Sequence, residues 1–400
     1  MVYTFILLSF LLSYSASFAS GGDSEFSDMT EKTTDSLRKI LRSNSYGEAQ
    51  QLIDHWLTEY NKLGSTKKDE FKHVEKNMYF LSACVLAEDG ETSRALSALN
   101  EAIVKGYRNY DQIIGDKHLK RLHGIREFTS LTERLQERTD YLSILKTSND
   151  YSVSSTSLPT LRYSHSGNTD LTRLRSMYNL DSIACIDNER ERFINVMNWV
   201  HNRIAHNGNK VIQEKRDALS LLDDNNALDC RGLATILSEA YLSLGYPSRI
   251  TLCMPKDHTD GESHAVVSVY SDHYSRWVMM DPTSSAYICD TNGQLLGLRE
   301  IREKMISGES IILNPDANWN GTVSRTIDEY LYMYMAKNMY WFETPVINTF
   351  GSETFTSGKQ VDYVRLYPPG YKTEEGKSIS YLHGNVFITT SENIFWQTPK

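Results

Sequence analysis

Cys230, His264 and Asp281 have the order and spacing of a nucleophile, a base and an orienting acid. Cys230 stands in Asp229-Cys230-Arg231-Gly232, ahead of Leu233, Ala234, Leu237, Tyr241 and Leu244 at helical intervals. That periodicity predicts a helix with one apolar face. Asp229 is suited to cap its start, and Gly245 followed by Pro247 ends it. A cysteine in the first turn meets unpaired backbone N–H groups and the positive end of the helix dipole, both of which favour the thiolate. A thiol so placed is a nucleophile at neutral pH.

The base and acid must come from other elements. Arg249–Cys253 reads as a short strand, His264–Tyr270 as a second and Trp277–Met280 as a third. His264 opens one strand and Asp281 closes the next. If the turn Ser271–Arg276 joins them as an antiparallel pair, those two ends lie side by side. A carboxylate beside a histidine fixes its tautomer and supports the imidazolium, which in turn stabilises a thiolate.

Cys230-Arg231-Gly232-Leu233-Ala234 on a helix, Gly245-Tyr246-Pro247-Ser248-Arg249, His264-Ala265-Val266 and Trp277-Val278-Met279-Met280-Asp281-Pro282-Thr283 together resemble the transglutaminase-like superfamily. Trp199-Val200-His201-Asn202-Arg203-Ile204 resembles the opening of that family's domain. The resemblance runs from about Asp187 to Met305, and four motifs in the right order carry it. It implies an α+β papain-like core, a helix packed on an antiparallel sheet, with a Cys-His-Asp triad at Cys230, His264 and Asp281. Where a tryptophan commonly follows the family's His-Ala pair, this chain has Val266.

The implied chemistry is acyl transfer from a peptide or carboxamide bond, with no cofactor. The Cys230 backbone N–H is one natural oxyanion donor. A second is not identifiable: Asn225 and Asn226 are near in sequence and nothing supports them. Transfer to water makes a protease, peptidase or amidase, which is the reading favoured here; transfer to a lysine makes a cross-linking transglutaminase. A non-catalytic protein that keeps the fold and binds a peptide or protein through its helical region is the competing class, and the intact triad weighs against it.

The chain has 400 residues and a formal net charge of −9, with 40% hydrophobic and 23% charged residues. Two or three domains with real cores fit that length. The acidic balance and the lack of a basic stripe exclude nucleic acid as a partner. Phe5–Leu12 is a short apolar run, and Ser17-Phe18-Ala19 has the small-x-small form of a signal-peptidase site. Residues 1–19 therefore read as a signal peptide cleaved after Ala19, too short for a membrane span. A secreted or periplasmic location follows. Five cysteines in an oxidising compartment leave at least one free. Cys253 and Cys289 flank the His–Asp strands and are candidates to pair; four buried thiols, Cys84, Cys185, Cys253 and Cys289, are an equal alternative.

Residues 35–145 read as helical. Tyr79, Ala83, Leu86, Gly90, Ala95, Leu99 and Ala102 fall at the spacing of a tetratricopeptide helix pair, and Tyr46-Gly47-Glu48-Ala49 with Ile53 and Trp56 resembles half of another. Residues 146–180 read as a linker, 181–308 as the catalytic domain, and 309–400 as a helix, Thr326–Phe342, plus a small β-rich appendage. His201 and Trp199 suit packing. His206, His258 and His273 stand in turn-like surroundings without partners at metal-ligand spacing, so no metal site is expected.

Overall fold

The computed structural model describes residues 24–148, 151, 158–164, 167–208, 210, 216–224, 226–257, 260, 262–354, 359–371 and 383–399. The residues read as a signal peptide lie outside these, as does His258. The chain divides into two units, Met1–Asp140 and Tyr141–Lys400.

The described part of the first unit is helical: Ser24–Arg42, Tyr46–Lys62, Ser65–Glu88, Thr92–Val104, Tyr110–Gly115 and Arg126–Thr139, with a 3₁₀ turn at Lys117–Leu122. The helix Ser65–Glu88 serves two cores. Phe71, Val74, Met78 and Leu81 pack with Ile53 and Trp56, while Phe80, Ala83, Cys84 and Ala87 pack with Ala95, Leu99 and Ala102. Ala83, Ala95 and Ala102 are fully buried where the second pair of helices meets, as the small side chains require for close approach. Gly90 turns between them at φ 84°, a left-handed conformation that glycine adopts without cost. Gly106 bends the chain so that Tyr107 stacks on Phe80 at 4.3 Å.

The second unit is α+β, with a mixed six-stranded sheet. In chain order its strands are β1 (Ser248–Met254), β2 (His264–Ser271), β3 (Arg276–Met280), β4 (Trp341–Pro345), β5 (Val361–Leu366) and β6 (His383–Thr389). Their order in the sheet is β6-β5-β4-β1-β2-β3, antiparallel throughout except for the parallel β5–β6 edge. The helix Cys230–Ser243 packs on β1 and β2 and against the helices Thr169–Met177, Glu189–Arg203 and Ala218–Asp224. Every residue from Arg231 to Ser243 is buried. An apolar stripe predicts one buried face; this helix is enclosed all round because elements cover its polar side as well. Glu239 on that side accepts the Ala218 and Gly351 N–H groups, each at 2.8 Å, and burial, opposed by those two bonds, pushes its pKa up to about 8.

Two stretches differ from expectation. Within 158–180, read as linker, Arg162–Tyr163 pairs in parallel with Ile347–Asn348, and Asn168 caps the helix Thr169–Met177, whose Leu171 and Leu174 are fully buried. The helix Tyr141–Thr147 likewise falls in the second unit. Secondly, β4, β5 and β6 are half of the core sheet instead of a separate appendage. Trp341 pairs with Met254 and Phe342 with Cys253, across nearly ninety intervening residues. The expected helix 326–342 accordingly stops short: a π-helix spans Asp328–Met335, one α-turn follows at Ala336–Asn338, and Trp341 enters the sheet. Ladder pairing satisfies the backbone there and overrides the local helical pattern.

All five cysteines are free; Cys84, Cys253 and Cys289 are buried and Cys185 is exposed. Among the described residues, no helix is long and apolar enough to cross a membrane.

Candidate active site

Cys230 is the first residue of its helix and is partly exposed. Asp229 caps the helix, its Oδ1 accepting the Gly232 N–H at 2.8 Å. Gly232 is needed there, since a Cβ would stand 3.1 Å from the Leu228 Cβ and 3.2 Å from the capping oxygen. The next residue, Arg231, is bound to the C-terminal part of the chain. Its guanidinium makes a bidentate pair with Glu353, with Nε to Oε2 at 2.7 Å, and donates to the Tyr363 hydroxyl at 3.2 Å. The start of this helix is thus held by the side chains on either side of Cys230.

His264 opens β2 and Asp281 directly follows β3. The β2–β3 ladder ends at Val267↔Met280, so continuing its register sets Asp281 opposite Val266, on the same face as His264 and two residues from it. Diagonal neighbours of that kind are within reach of long side chains. His264 Nε2 and Asp281 Oδ2 are 2.9 Å apart, with both side chains fully buried. Asp281 also accepts the Thr283 N–H at 2.8 Å on Oδ1 and the Tyr330 hydroxyl at 2.8 Å on Oδ2. Burial works to raise the Asp281 carboxyl, but His264, Tyr330 and the Thr283 N–H together hold it below the usual carboxylate range. An ionised Asp281 obliges Nε2 to be the donor, which leaves Nδ1 to take a proton. Nδ1 is buried and without a hydrogen-bond partner among the described residues. Burial opposes charge on the ring, yet Asp281 first and Cys230 next outweigh it, and the His264 pKa is raised. His264 and Asp281 are thus joined by a hydrogen bond, and Cys230 acts on the His264 ring.

Several residues of this site were not legible beforehand. Tyr330 and Tyr334 both come from the π-helix Asp328–Met335. Tyr334 sets its ring edge-on to His264, centroids 5.0 Å apart. Burial, and then the charges of Cys230 and Asp281, push its hydroxyl pKa well up. The aromatic ring beside His264 thus comes from a distant element, while Val266, two residues along the strand, is fully buried in the sheet. Tyr330 and Tyr334 are four residues apart, which was readable as a helical face but gave no sign of pointing at a carboxylate. Cys253 is opposite His264 in the β1–β2 ladder, and burial pushes its thiol well up. His201 packs, as expected, but also hydrogen-bonds the Pro282 carbonyl through Nδ1 at 2.9 Å and Asn318 Oδ1 through Nε2 at 3.0 Å, bracing the residue after Asp281. His273 stays in the β2–β3 turn against Tyr274. Asn226 is exposed, and Asn225 is outside the described residues. Among the described residues no group of three His, Cys, Asp or Glu side chains is placed to hold a metal.

Residues 179–282 match the model of the transglutaminase-like superfamily. All three residues of the group fall inside that span. The core of the second unit is a transglutaminase-like α+β fold. Among solved structures the chain is similar to a candidate cysteine protease of Cytophaga hutchinsonii, at 16% identity and a TM-score of 0.25, covering 36% of this chain and 48% of that one. It is also similar to a TGase, at 17% identity and a TM-score of 0.21, covering 45% of this chain and 38% of that one. The chain thus spans less than half the length of either. No curated protein matches it.

Proposed function

We propose that this protein is an exported cysteine hydrolase that cleaves peptide or carboxamide bonds through an acyl-enzyme. The observation that carries this reading is the fully buried His264–Asp281 hydrogen bond beside a cysteine at the first residue of a capped helix. Cys230 attacks the carbonyl carbon; His264 Nδ1 takes the thiol proton and gives it to the departing amine, while Asp281 keeps Nε2–H in place. Water then attacks the thioester, its proton passes to His264, and the acid leaves with the thiol restored. The partial exposure of Cys230 supports water as the acceptor, since solvent is in large excess over any lysine.

Export follows from the leader read in residues 1–19. The helical region is proposed as tetratricopeptide-like and as the part that holds a protein partner or a substrate chain. The test is incubation with casein and a fluorescent primary amine, with Cys230→Ala as the control. Peptide release without amine incorporation is the expected result. Amine incorporation would make the protein a cross-linking transferase. Neither, from protein whose Cys230 still labels with iodoacetamide, would remove protein amide bonds from its substrates.

A further inference from the structure

We propose that the His206 imidazole is the second oxyanion donor of this site, its Nε2–H meeting the oxygen that becomes negative when Cys230 attacks a carbonyl. The proposal rests on the cysteine-hydrolase reading above. In that step the S–C bond forms as the carbonyl π pair moves onto oxygen. Collapse returns the pair and expels the amine, which takes its proton from His264. A donor preset at that oxygen lowers the barrier.

The main chain places His206 beside the nucleophile. Ala205–His206 lies in parallel against Ala227–Leu228, with His206 opposite Leu228, two residues before Cys230. The Asn207 N–H donates to the Leu228 carbonyl at 2.7 Å. His264 and Asp281 are among the charged groups that act on the ring. One strand therefore sets His206 beside the segment that leads into the helix of Cys230.

Its hydrogen bonds then choose the tautomer. Trp319 Nε1–H donates to His206 Nδ1 at 3.0 Å. A ring nitrogen that accepts carries no proton, so the neutral imidazole holds its proton on Nε2. Nε2 has no hydrogen-bond partner among the described residues. Asn320 clamps the backbone, its Oδ1 accepting the His206 N–H at 2.7 Å and its Nδ2 donating to the His206 carbonyl at 3.0 Å. Charge agrees with that role. Burial, with His264 and Arg325 adding and Asp281 opposing, pushes the His206 pKa down to about 4, so it is neutral at neutral pH. A cation there would oppose the imidazolium that His264 must become.

Acylation by p-nitrophenyl acetate creates an oxyanion, whereas alkylation of the same thiol by iodoacetamide does not. In full-length protein, His206→Ala should slow the nitrophenolate burst by about 10²–10³-fold, the usual loss for one oxyanion donor, and alkylate like wild type. His206→Gln keeps a side-chain N–H and should recover most of the burst. Trp319→Phe removes the bond that selects the tautomer and should fall between them. Circular dichroism checks that each variant folds, and the glutamine and phenylalanine variants carry the test if His206→Ala does not. If the burst survives in His206→Ala, or if alkylation falls in step with acylation in His206→Gln and Trp319→Phe, His206 is not an oxyanion donor. A full burst from Cys230→Ala would instead overturn the hydrolase reading.

Discussion

At the residue scale, Asp281 is the most constrained atom group in the site, because two donors, the His264 ring and the Tyr330 hydroxyl, converge on one of its oxygens. Tyr330 is a positioning residue: it acts on the reaction only through Asp281. Tyr330→Phe removes a buried hydrogen bond to a charged acceptor, a loss of about 1.5–3 kcal/mol in stability. It should slow alkylation of Cys230 several-fold and shift the alkaline limb of the rate–pH profile to lower pH, since Asp281 is then less well held against His264. A variant with wild-type profile and rate would make the Tyr330 bond purely structural. The pair also predicts how stability depends on pH. His264 is raised in the folded state, so its contribution is complete below its unfolded value of about 6.5 and is lost as pH rises through the native value. Asp281 is lowered, so its contribution is present above about 3.9 and is lost as pH falls through its native value. Thermal unfolding of wild type should therefore lose Tm on the alkaline side, and Asp281→Asn should flatten that loss because the main support of the imidazolium is gone.

At the scale of elements, the helix Cys230–Ser243 is held by partners that lie far along the chain. The Arg231–Glu353 pair joins its first turn to the segment ahead of β5, with both side chains almost wholly buried. Removing one member of such a pair strands the other charge, at a cost of about 3–5 kcal/mol. Glu353→Gln should lower the free energy of unfolding by that amount and reduce alkylation of Cys230, the neighbour of Arg231. The double variant Arg231→Met, Glu353→Leu should be less destabilised than the sum of the singles, because no unpaired charge remains. Additive singles, by urea titration, would mean that the pair contributes no coupling.

At the scale of the molecule, the two units make separate claims on the chain. The first ends at Asp140, and its two cores are built from its own helices. A fragment of residues 24–140 should therefore unfold cooperatively by circular dichroism; a gradual melt would show that it depends on the second unit. The second unit has no such independence from its C-terminal part. β4 pairs with β1 and β5 in the middle of the sheet, so a chain ending at Met339 would leave β1 with an unpaired buried edge. That truncation should slow alkylation of Cys230 by iodoacetamide at neutral pH to the rate of an ordinary thiol, although Cys230, His264 and Asp281 all remain.

What the sequence determined by itself was whatever local chemistry dictates. The capped helix of Cys230 and the strands that begin at His264 and end beside Asp281 were legible, because period, capping and turn residues act within a few positions. The expected antiparallel hairpin even put the ends at His264 and Asp281 side by side. Tertiary structure alone decided what depends on distance in the chain: that Trp341 pairs with Met254, that Glu353 meets Arg231, that Tyr330 reaches Asp281 and Tyr334 lies against His264, and that Trp319 donates to His206. A helical tyrosine or a buried arginine has the same local pattern whatever it touches. Its partner is selected by the burial of the whole core, which no short stretch of residues encodes.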